Sequence, residues 1–383
     1  MKNKEKVSVI IPCYNYAPYL SQTFYSLEKQ DLNQVEIEII LVDDGSTDNT
    51  RNIVRHNYPQ VKYIYQKNQG PAAARNTGID AAKGDYILFL DSDDFIATNV
   101  IQTQINTLKN NEKYDISLCQ SSVFVDEKNN SYKFMIRPLY KDYFNIHLCH
   151  SNIAPPSAFL YRKNVLEKCR FNSDDICLED YIFNINCILN GFSICSNISC
   201  TIFYRRHESI MSKVVKKNTL IIRVYELIDK YIESVYEHNI QDSFPYFLAY
   251  LSTLVNKISS IHKDDEMEKI KLILEKITEN MILSYNKFIF KNEVILKSII
   301  EYYTLRLYIS CIKSKNISDN LLSKIKNFIV INFSYISKLS LIDAERQSKA
   351  AFQRITFESY DLSPAIQRSL PSFEDIVSQK LLI

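Results

Sequence analysis

The chain has 383 residues, 46% of them hydrophobic and 23% charged, a composition typical of a soluble globular protein with room for two domains. The formal net charge of +2 gives no reason to expect a nucleic-acid partner. Nine cysteines at irregular spacing, without a CxxC pair, argue against a paired zinc or redox motif and predict free thiols in a reducing cytosol.

The N-terminal half alternates between short apolar segments and segments with helical spacing. Strands are predicted at Val7–Ile11, Ile37–Val42, Val61–Tyr65 and Tyr86–Leu90. Helices are predicted between them at Tyr19–Lys29, Thr47–His56 and Ala72–Ala82. This alternation predicts an α/β fold with a mostly parallel sheet flanked by helices. Such sheets bind ligands at the carboxyl ends of their strands.

The second half has a different pattern. No glycine follows Gly191, and apolar residues recur at steps of three and four with Lys and Glu between them. We therefore predict an α/β domain over residues 1–212 and an all-α domain over residues 213–342. The periodicity is lost after that point, which predicts a C-terminal tail over residues 343–383 that is either loosely packed or a docking segment.

The sequence shows no pattern typical of a membrane-spanning or exported protein. The Lys- and Asn-rich N-terminus continues directly into an apolar segment, without the apolar core of a signal peptide. Ile182–Tyr204 carries no charge and is long enough to cross a bilayer, but its asparagines are costly in hydrocarbon. We therefore predict a cytoplasmic protein, with peripheral association at the inner face of the membrane left open.

Three closely spaced aspartates, Asp91, Asp93 and Asp94, follow the last predicted strand. Carboxylates this close repel one another, and a divalent cation such as Mn²⁺ or Mg²⁺ relieves that repulsion while it binds phosphate oxygens. The pattern therefore indicates a diphosphate–metal site. The alternative is a solvated loop whose aspartates cap a helix.

A second polar turn, residues 43–46, follows the strand predicted at Ile37–Val42 and reads Asp-Asp-Gly-Ser. Gly45 can adopt a positive φ and turn the chain sharply, and a carboxylate here could accept a hydrogen bond from a nucleobase or a ribose. The alternative is a turn that caps the next helix.

The segment Gly70–Gly78 consists mainly of small residues around a single charge, Arg75. Small residues allow the backbone to approach a ligand closely, and a guanidinium suits a phosphate or a base edge. The alternative is a tightly packed helix with one Arg side chain that reaches solvent.

Two further polar groups lie later in the chain. Asp180, in the Glu179-Asp180 pair, could serve as a general base, or the pair could simply stabilise a helix N-terminus. Residues 204–212 combine cations, hydroxyls and His207, which could cover a diphosphate and bind a metal. The alternative for this last segment is a linker with an ordinary surface histidine.

In this order, the segments resemble the bacterial family 2 glycosyltransferases of the GT-A fold. The resemblance covers residues 5–212 and rests on Val7–Asn15, Val42–Asp48, Gly70–Gly78, Leu90–Asp94 and Glu179–Asp180. The sequence departs from the family pattern at Pro71, where a bulkier apolar residue is usual, and this proline is expected to stiffen the loop. The helical half lies outside the resemblance.

The resemblance implies a role for each matching residue. Asp180 is implied as the catalytic base, and Asp93 and His207 as metal ligands. The residues implied to bind the nucleotide-sugar are Pro12, Tyr14, Asn15, Asp43, Asp44, Arg75, Asp91, Ser92, Glu179, Arg206 and Ser209. Within this set Asp44 is expected at the nucleobase, and Arg75 is expected to reach the nucleotide.

The resemblance also implies a reaction. An inverting glycosyltransferase with Mn²⁺ or Mg²⁺ would move a sugar from a nucleotide diphosphate donor, with a UDP-sugar expected, to a hydroxyl of a bacterial surface glycan or lipid-linked oligosaccharide. The helical domain would contact the acceptor, a second copy of the chain or the membrane surface, in no order of preference. The alternative function is a non-catalytic scaffold of the same fold in a glycan assembly complex.

Overall fold

The structure is a computed structural model, and its described residues form two compact units. It describes residues 4–31, 35–126, 131–136, 154–173, 179–205 and 319–358, with short stretches between 274 and 312. The first unit lies within Met1–Arg137 and Asn152–Ser209. The second unit contains every described residue from 274 to 358.

The first unit alternates strands and helices, as its sequence predicts. Its strands are β1 (Glu5–Cys13), β2 (Val35–Asp43), β3 (Lys62–Tyr65), β4 (Tyr86–Phe89), β5 (Phe95–Ile96), β6 (Ile116–Asp126), β7 (Ser131–Ile136), β8 (Phe159–Arg162) and β9 (Ile194–Arg205). Its helices are α1 (Leu20–Glu28), α2 (Thr50–Asn57), α3 (Pro71–Ala81), α4 (Val100–Lys109), α5 (Lys163–Lys168) and α6 (Glu179–Leu189). The strands and helices predicted before residue 91 are confirmed, and each observed end lies within three residues of its prediction.

These strands form one sheet in the order β3-β2-β1-β4-β8-β6-β9-β5, with β7 paired to β6. The first four run parallel, as the alternation predicts. Beyond β4 the sheet is mixed, because β8 is antiparallel to both β4 and β6, whereas β6 and β9 are parallel. The prediction of a mostly parallel sheet therefore describes the βαβ half of this unit, and the remaining strands add antiparallel pairs.

The centre of the sheet is apolar on both faces, which is typical of a sheet layered between helices. Every residue of β4 is buried, and so is β1 from Val7 onwards. Helix α3 approaches β1 closely because Gly78 has no side chain. A Cβ at Gly78 would lie 2.3 Å from Cγ2 of Ile10. The small residues of α3 therefore set the distance between the helix and the central strand.

The uncharged run Ile182–Tyr204 does not form a single helix. It is divided between α6 and β9, and Gly191, with a φ of 83°, lies in the turn between them. This confirms that the run is part of the folded unit. Among the described residues, no helix is both long and apolar enough to cross a membrane.

The cysteines that the structure describes are free thiols, as predicted, and most of them are buried. They are Cys13, Cys119, Cys169, Cys187, Cys195, Cys200 and Cys311. Burial raises the pKa of the Cys13 thiol to about 12, so this residue stays protonated at the sheet edge described below. Cys149 and Cys177 lie outside the described residues.

The second unit is helical wherever it is described, apart from the turns that join its helices. Its two continuous helices are α7 (Asp319–Asn332) and α8 (Leu341–Glu358), with the 3-10 turn Ile336–Lys338 between them. The spacing of apolar residues in the sequence predicts a stripe on α7 of Leu321, Leu322, Ile325, Phe328 and Ile329, and all of these except the half-buried Leu322 are buried.

Helix α8 lies where the sequence predicted the start of a loose tail. Residues 343–358 are helical, which corrects the expectation of loose packing here and does not test the alternative of a docking segment. Ala344 and Ser348 are buried four positions apart on one face, so this helix packs through small side chains that a search for large apolar residues does not detect. Residues 359–383 lie outside the described part, and the domain boundaries at 212 and 342 stay predictions.

Candidate active site

The carboxyl ends of β1, β2 and β4 lie side by side at one edge of the sheet. Cys13 and Asp43, the last residues of β1 and β2, are paired in register. Asp44 N donates a 2.8 Å hydrogen bond to Cys13 O, and Leu90 N donates one of 3.0 Å to Ile10 O. The polar turns that follow these three strands therefore meet at one place.

Asn15 fixes the turn after β1 to the turn after β2. Its backbone is left-handed, with a φ of 59°, a conformation that asparagine adopts more readily than most residues. Its Oδ1 accepts hydrogen bonds from Thr47 N at 2.7 Å and Asp48 N at 3.2 Å, and its N donates to Ser46 Oγ at 2.9 Å. The Asn15 side chain, predicted to bind the nucleotide-sugar, is thus bonded within the protein through its oxygen, whereas neighbouring Tyr14 is 37% exposed.

Asp43 closes the turn after β2 and joins it to β3. The carboxylate is buried, its Oδ1 accepts a 2.8 Å hydrogen bond from Ser46 N, and its Oδ2 accepts one from the Tyr63 hydroxyl. Burial, together with the neighbouring Asp43 carboxylate, raises the pKa of Tyr63 above its usual range. The phenol therefore stays protonated and acts as the donor. Pro12, one residue before the end of β1, is buried in register with Val42.

Asp44 organises the loop between β3 and α3. Its Oδ1 accepts hydrogen bonds from Gln66 Nε2 at 2.7 Å and Gln69 N at 2.9 Å, and its Oδ2 accepts one from Gly70 N at 2.8 Å. Gln66 is held in turn by the Thr77 hydroxyl, which donates to its Oε1 at 2.7 Å. Any contact between Asp44 and a nucleobase would therefore use the lone pairs that these bonds leave free.

Gly45 lies between these turns with a φ of +83°, and a Cβ there would lie 2.9 Å from Asn68 N. Gly191 has the same φ of +83°, but a Cβ there would meet no atom within 4 Å. We expect Gly45→Ala to lower the free energy of unfolding by about 1–3 kcal/mol more than Gly191→Ala, because only the first substitution adds a collision to the strained φ. Urea denaturation measures both variants, and equal losses would contradict a close approach at Asn68.

The turn after β4 concentrates three carboxylates. Asp91 and Asp93 are half-buried, whereas Ser92 and Asp94 are buried. Burial and the neighbouring Asp93 raise the pKa of Asp91, and Arg75 opposes this rise. Burial, with the charges of Asp93 and Asp91, raises the pKa of Asp94 further above its usual value. Among the described residues, Asp94 Oδ2 has no hydrogen-bond partner, so a buried polar atom is left at this edge.

Arg75 is a buried cation between Asp91, on the acidic turn, and Glu179, the first residue of α6. It is 3% exposed, its Nη2 lies 2.9 Å from Asp91 Oδ1, and its Nη1 lies 2.7 Å from Glu179 Oε1. Burial alone would lower the pKa of Arg75, but these two carboxylates raise it above its usual value. The side chain predicted to reach the nucleotide instead joins the acidic turn to the first residue of α6. Its contact with a nucleotide stays a prediction.

Asp180 lies in the first turn of α6, directly after Glu179. Its Oδ1 accepts a 2.8 Å hydrogen bond from Tyr181 N. Burial and repulsion by Glu179 raise the pKa of Asp180 to about 6, although Arg75 acts in the opposite direction. A carboxylate with this pKa is largely ionised at neutral pH yet basic enough to accept a proton, which suits a general base.

The described residues can supply part of a metal site. No group of three or more His, Cys, Asp or Glu side chains in the described ranges is arranged to hold a metal ion. Mg²⁺ at a diphosphate site is usually held by one or two carboxylates, with phosphate oxygens and water as the remaining ligands. Asp93, on a turn with an orphaned carboxylate oxygen, fits this small donor set. His207, the other predicted ligand, lies outside the described residues, as do Arg206 and Ser209.

Sequence reasoning did not select two residues that contact the acidic turn. The Thr23 hydroxyl lies 3.0 Å from Ser92 O and 2.9 Å from Asp94 O, and Arg205 Nε donates to Asp93 O at 2.9 Å. Thr23 carries no local signal, since it is one polar residue within a helix. The signal at Arg205 was a charge at the end of an apolar strand. Residues 204–212 were interpreted as one polar segment, so Arg205 was not assigned to that strand.

A parallel βαβ layer with polar turns after β2 and β4 and an acidic first turn on the later helix α6 is typical of the GT-A class of sugar transferases. The comparisons with known proteins agree. The family model described as Glycosyl transferase family 2 matches residues 8–170. An uncharacterized glycosyltransferase of Haemophilus influenzae is 35% identical over 190 residues, which cover 49% of this chain and 73% of the relative. The chain belongs to glycosyltransferase family 2.

Other relatives extend the match. The uncharacterized glycosyltransferase EpsJ of Bacillus subtilis is 28% identical over 259 residues, which cover 63% of this chain and 71% of EpsJ. Among solved structures, S. aureus TarS has a TM-score of 0.54 at 19% identity, and the match covers 87% of this chain and 55% of TarS. At this identity TarS supports the fold alone. The relatives named as glycosyltransferases support an enzyme over the scaffold alternative.

Proposed function

We propose that the protein is an inverting glycosyltransferase that moves a sugar from a nucleoside diphosphate to an acceptor hydroxyl, with Asp180 as the base. The main support is the buried network in which Arg75 joins Asp91, on the acidic turn, to Glu179, the neighbour of Asp180. An inverting displacement needs a base for the acceptor and charge stabilisation for the leaving group within one site. This network holds the base and the acidic turn together.

The proposed reaction is a single displacement. Asp180 takes the proton of the acceptor hydroxyl while the oxygen attacks the anomeric carbon. The bond from that carbon to the diphosphate oxygen breaks on the opposite face, so the anomeric configuration inverts. Arg75 keeps Glu179 and Asp91 in place, so that the base carboxylate stays oriented during the proton transfer.

Asp93 is the proposed protein ligand of Mn²⁺ or Mg²⁺, with His207 as a second ligand carried over from the family resemblance. When it is bound, the metal ion stabilises the charge that develops on the leaving diphosphate. Asp91 and Ser92 belong to the same turn and are proposed to face the ribose and the diphosphate. Arg206 and Ser209 are proposed to contact the nucleotide from the segment that follows β9.

We propose a UDP-sugar as the donor and a hydroxyl of a bacterial surface glycan or lipid-linked oligosaccharide as the acceptor. The donor proposal is supported by the family resemblance of the nucleoside turns, which contain Pro12, Tyr14, Asn15, Asp43 and Asp44. The predicted helical domain, residues 213–342, is proposed to contact the acceptor, a second copy of the chain or the membrane surface. A cytoplasmic location stays a prediction, with peripheral association at the inner face of the membrane left open.

Nucleotide binding tests the donor site directly. UDP, GDP and CMP are titrated with Mn²⁺ and then with EDTA while the melting temperature is followed. We expect UDP with Mn²⁺ to stabilise the protein, by about 2.7 kcal/mol at a hundredfold excess over the Kd, because it binds only the folded state. Asp93→Ala is expected to lose the metal-dependent part of this shift.

Asp80→Ala is the control for Asp93→Ala, because the Asp80 side chain is 70% exposed and lies on α3, outside the acidic turn. It should keep the full UDP shift. If no nucleotide changes the melting temperature, the donor site is not the one proposed. If UDP stabilises the Asp93→Ala variant as strongly as the wild type with Mn²⁺, the metal role of Asp93 is wrong, whereas the nucleotide site survives.

A further inference from the structure

We propose that Arg205 is a positioning residue that holds the acidic turn, Asp91–Asp94, in its ligand-binding shape. The inference rests on the proposed function, because it takes Asp93 on this turn as a metal ligand. Arg205 is the last residue of β9, far from the turn in sequence, and it is 5% exposed. A cation buried this deeply is normally fully occupied with protein groups.

Arg205 contacts both the acidic turn and α1. Its backbone N donates a 3.0 Å hydrogen bond to Asp94 Oδ1, and its Nε donates one of 2.9 Å to Asp93 O. Its Nη2 donates to Gln22 Oε1 on α1. One residue therefore binds the backbone of Asp93 and the side chain of Asp94 while it is anchored to a neighbouring helix.

Two aromatic rings fix the position of this guanidinium. Its central carbon lies 4.7 Å from the ring centre of Tyr19 and 5.8 Å from that of Phe95. A guanidinium over an aromatic face is held by cation–π attraction, which strengthens when water is excluded. The planar guanidinium is therefore held in one orientation, so its hydrogen bond to Asp93 O has a fixed direction.

Thr23 adds a second brace on the same backbone. Its hydroxyl lies within hydrogen-bond distance of Ser92 O and Asp94 O, on either side of the carbonyl that Arg205 binds. The single proton of this hydroxyl is shared between Ser92 O and Asp94 O, so Thr23 and Arg205 together contact the carbonyl groups of three successive residues of the turn. Because these bonds restrict rotation of the turn, they hold the backbone from which the Asp93 side chain extends.

Groups that orient a metal ligand without touching the metal typically change metal affinity by about 10- to 100-fold when they are removed. We therefore expect Arg205→Gln to weaken Mn²⁺-dependent UDP binding by about 10- to 100-fold, measured by calorimetry, with Mn²⁺ binding followed separately by electron paramagnetic resonance. Arg205→Lys keeps the charge but lacks the planar guanidinium. The affinity of this variant for UDP with Mn²⁺ should therefore lie between those of Arg205→Gln and the wild type.

Arg162 offers a matched control. It also ends a strand, and it donates from Nε to Tyr114 O at 3.0 Å and from Nη2 to Leu108 O at 2.8 Å. It is paired in register with Tyr86, at the amino end of β4, whereas the acidic turn follows the carboxyl end of that strand. Arg162→Gln should lower the melting temperature without changing the UDP and Mn²⁺ affinities.

The outcomes separate this inference from the proposed function. If Asp93→Ala loses metal-dependent binding but Arg205→Gln retains wild-type affinities, as Arg162→Gln should, Arg205 is only structural and the inference is overturned. If Asp93→Ala retains metal-dependent binding, the metal role itself fails. Should Arg205→Gln not fold, Thr23→Val decides the matter, since loss of this second brace must weaken Mn²⁺-dependent UDP binding if the turn needs to be held.

Discussion

Asp180→Asn is expected to lower kcat by about 10²- to 10⁴-fold, the range that a positioned general base usually contributes. The amide has nearly the shape of the carboxylate and can accept the hydrogen bond from Tyr181 N, so the first turn of α6 should be preserved. Donor affinity should therefore change little. Initial rates of sugar transfer, with UDP affinity measured in parallel, check both parts.

The pH dependence of the transfer rate is a second test of Asp180 as the general base. The pKa of Asp180 is raised to about 6, chiefly by burial, and the base is active only when it is ionised. Transfer should therefore decline as the pH falls through about 6 and reach a plateau above it. The residual activity of Asp180→Asn should lack this decline at acidic pH.

Asp80→Asn, a change at a 70% exposed carboxylate on α3, is the control and should keep both the rate and the pH profile. Wild-type turnover by Asp180→Asn would rule Asp180 out as the base.

Arg75→Gln is expected to lower the free energy of unfolding by about 3–5 kcal/mol, because it leaves two acidic partners without their buried cation. The side chain of Arg75 is 4% exposed, and those of its partners Asp91 and Glu179 are 25% and 11% exposed. Little water can therefore reach the two carboxylates to solvate them once the cation is removed. Urea denaturation at neutral pH measures the loss.

A surface pair of similar length is the matched control. Arg170 Nη1 lies 2.8 Å from Asp80 Oδ1, and the two side chains are 43% and 70% exposed. Because solvent screens this pair, Arg170→Gln should cost no more than about 1 kcal/mol. Equal losses for Arg75→Gln and Arg170→Gln would contradict the buried network.

The stability loss of Arg75→Gln should also depend on pH. Burial raises the pKa of Asp91 and Arg75 opposes the rise, so removal of Arg75 raises the pKa of Asp91 further. A carboxyl whose pKa is raised on folding destabilises the fold where the unfolded chain is ionised, above about pH 4. The penalty fades as both states become protonated. The difference between wild type and variant should therefore shrink as the pH falls from 7 towards 4.

The βαβ half of the fold could be predicted because local pattern and tertiary structure agree there. Each apolar segment before residue 91 is bounded by polar turns, and the strands that follow this pattern are the parallel ones. The juxtaposition of the turns that contain Asp43 and Asp91 could also be predicted, because parallel strands end at the same edge. Asp180 lies on a helix, and its place in the site was implied only by the family resemblance.

The internal bonding of the site could not be predicted, because it depends on pairs far apart in sequence. Arg75 and Glu179 are 104 positions apart, and nothing in the composition of either segment indicates that they form an ion pair. For the same reason the hydrogen bonds of Asn15 and Asp44 to neighbouring turns could not be predicted, and their contacts with a ligand stay predictions. Helix α8 was missed for a different reason, since the residues that it is known to bury are small.

The bond between Arg205 and Gln22 spans 183 positions of the chain, and Arg205 is the last residue of β9. During synthesis, β1 to β4 emerge early and can pair through short crossovers. The acidic turn, in contrast, cannot contact Arg205 until the chain has been synthesised up to residue 205. Contacts of high sequence separation form late because the loop between them must close first. We therefore expect the acidic turn to reach its final shape only after Arg205 has joined the sheet, later than the parallel pairing of β1 to β4.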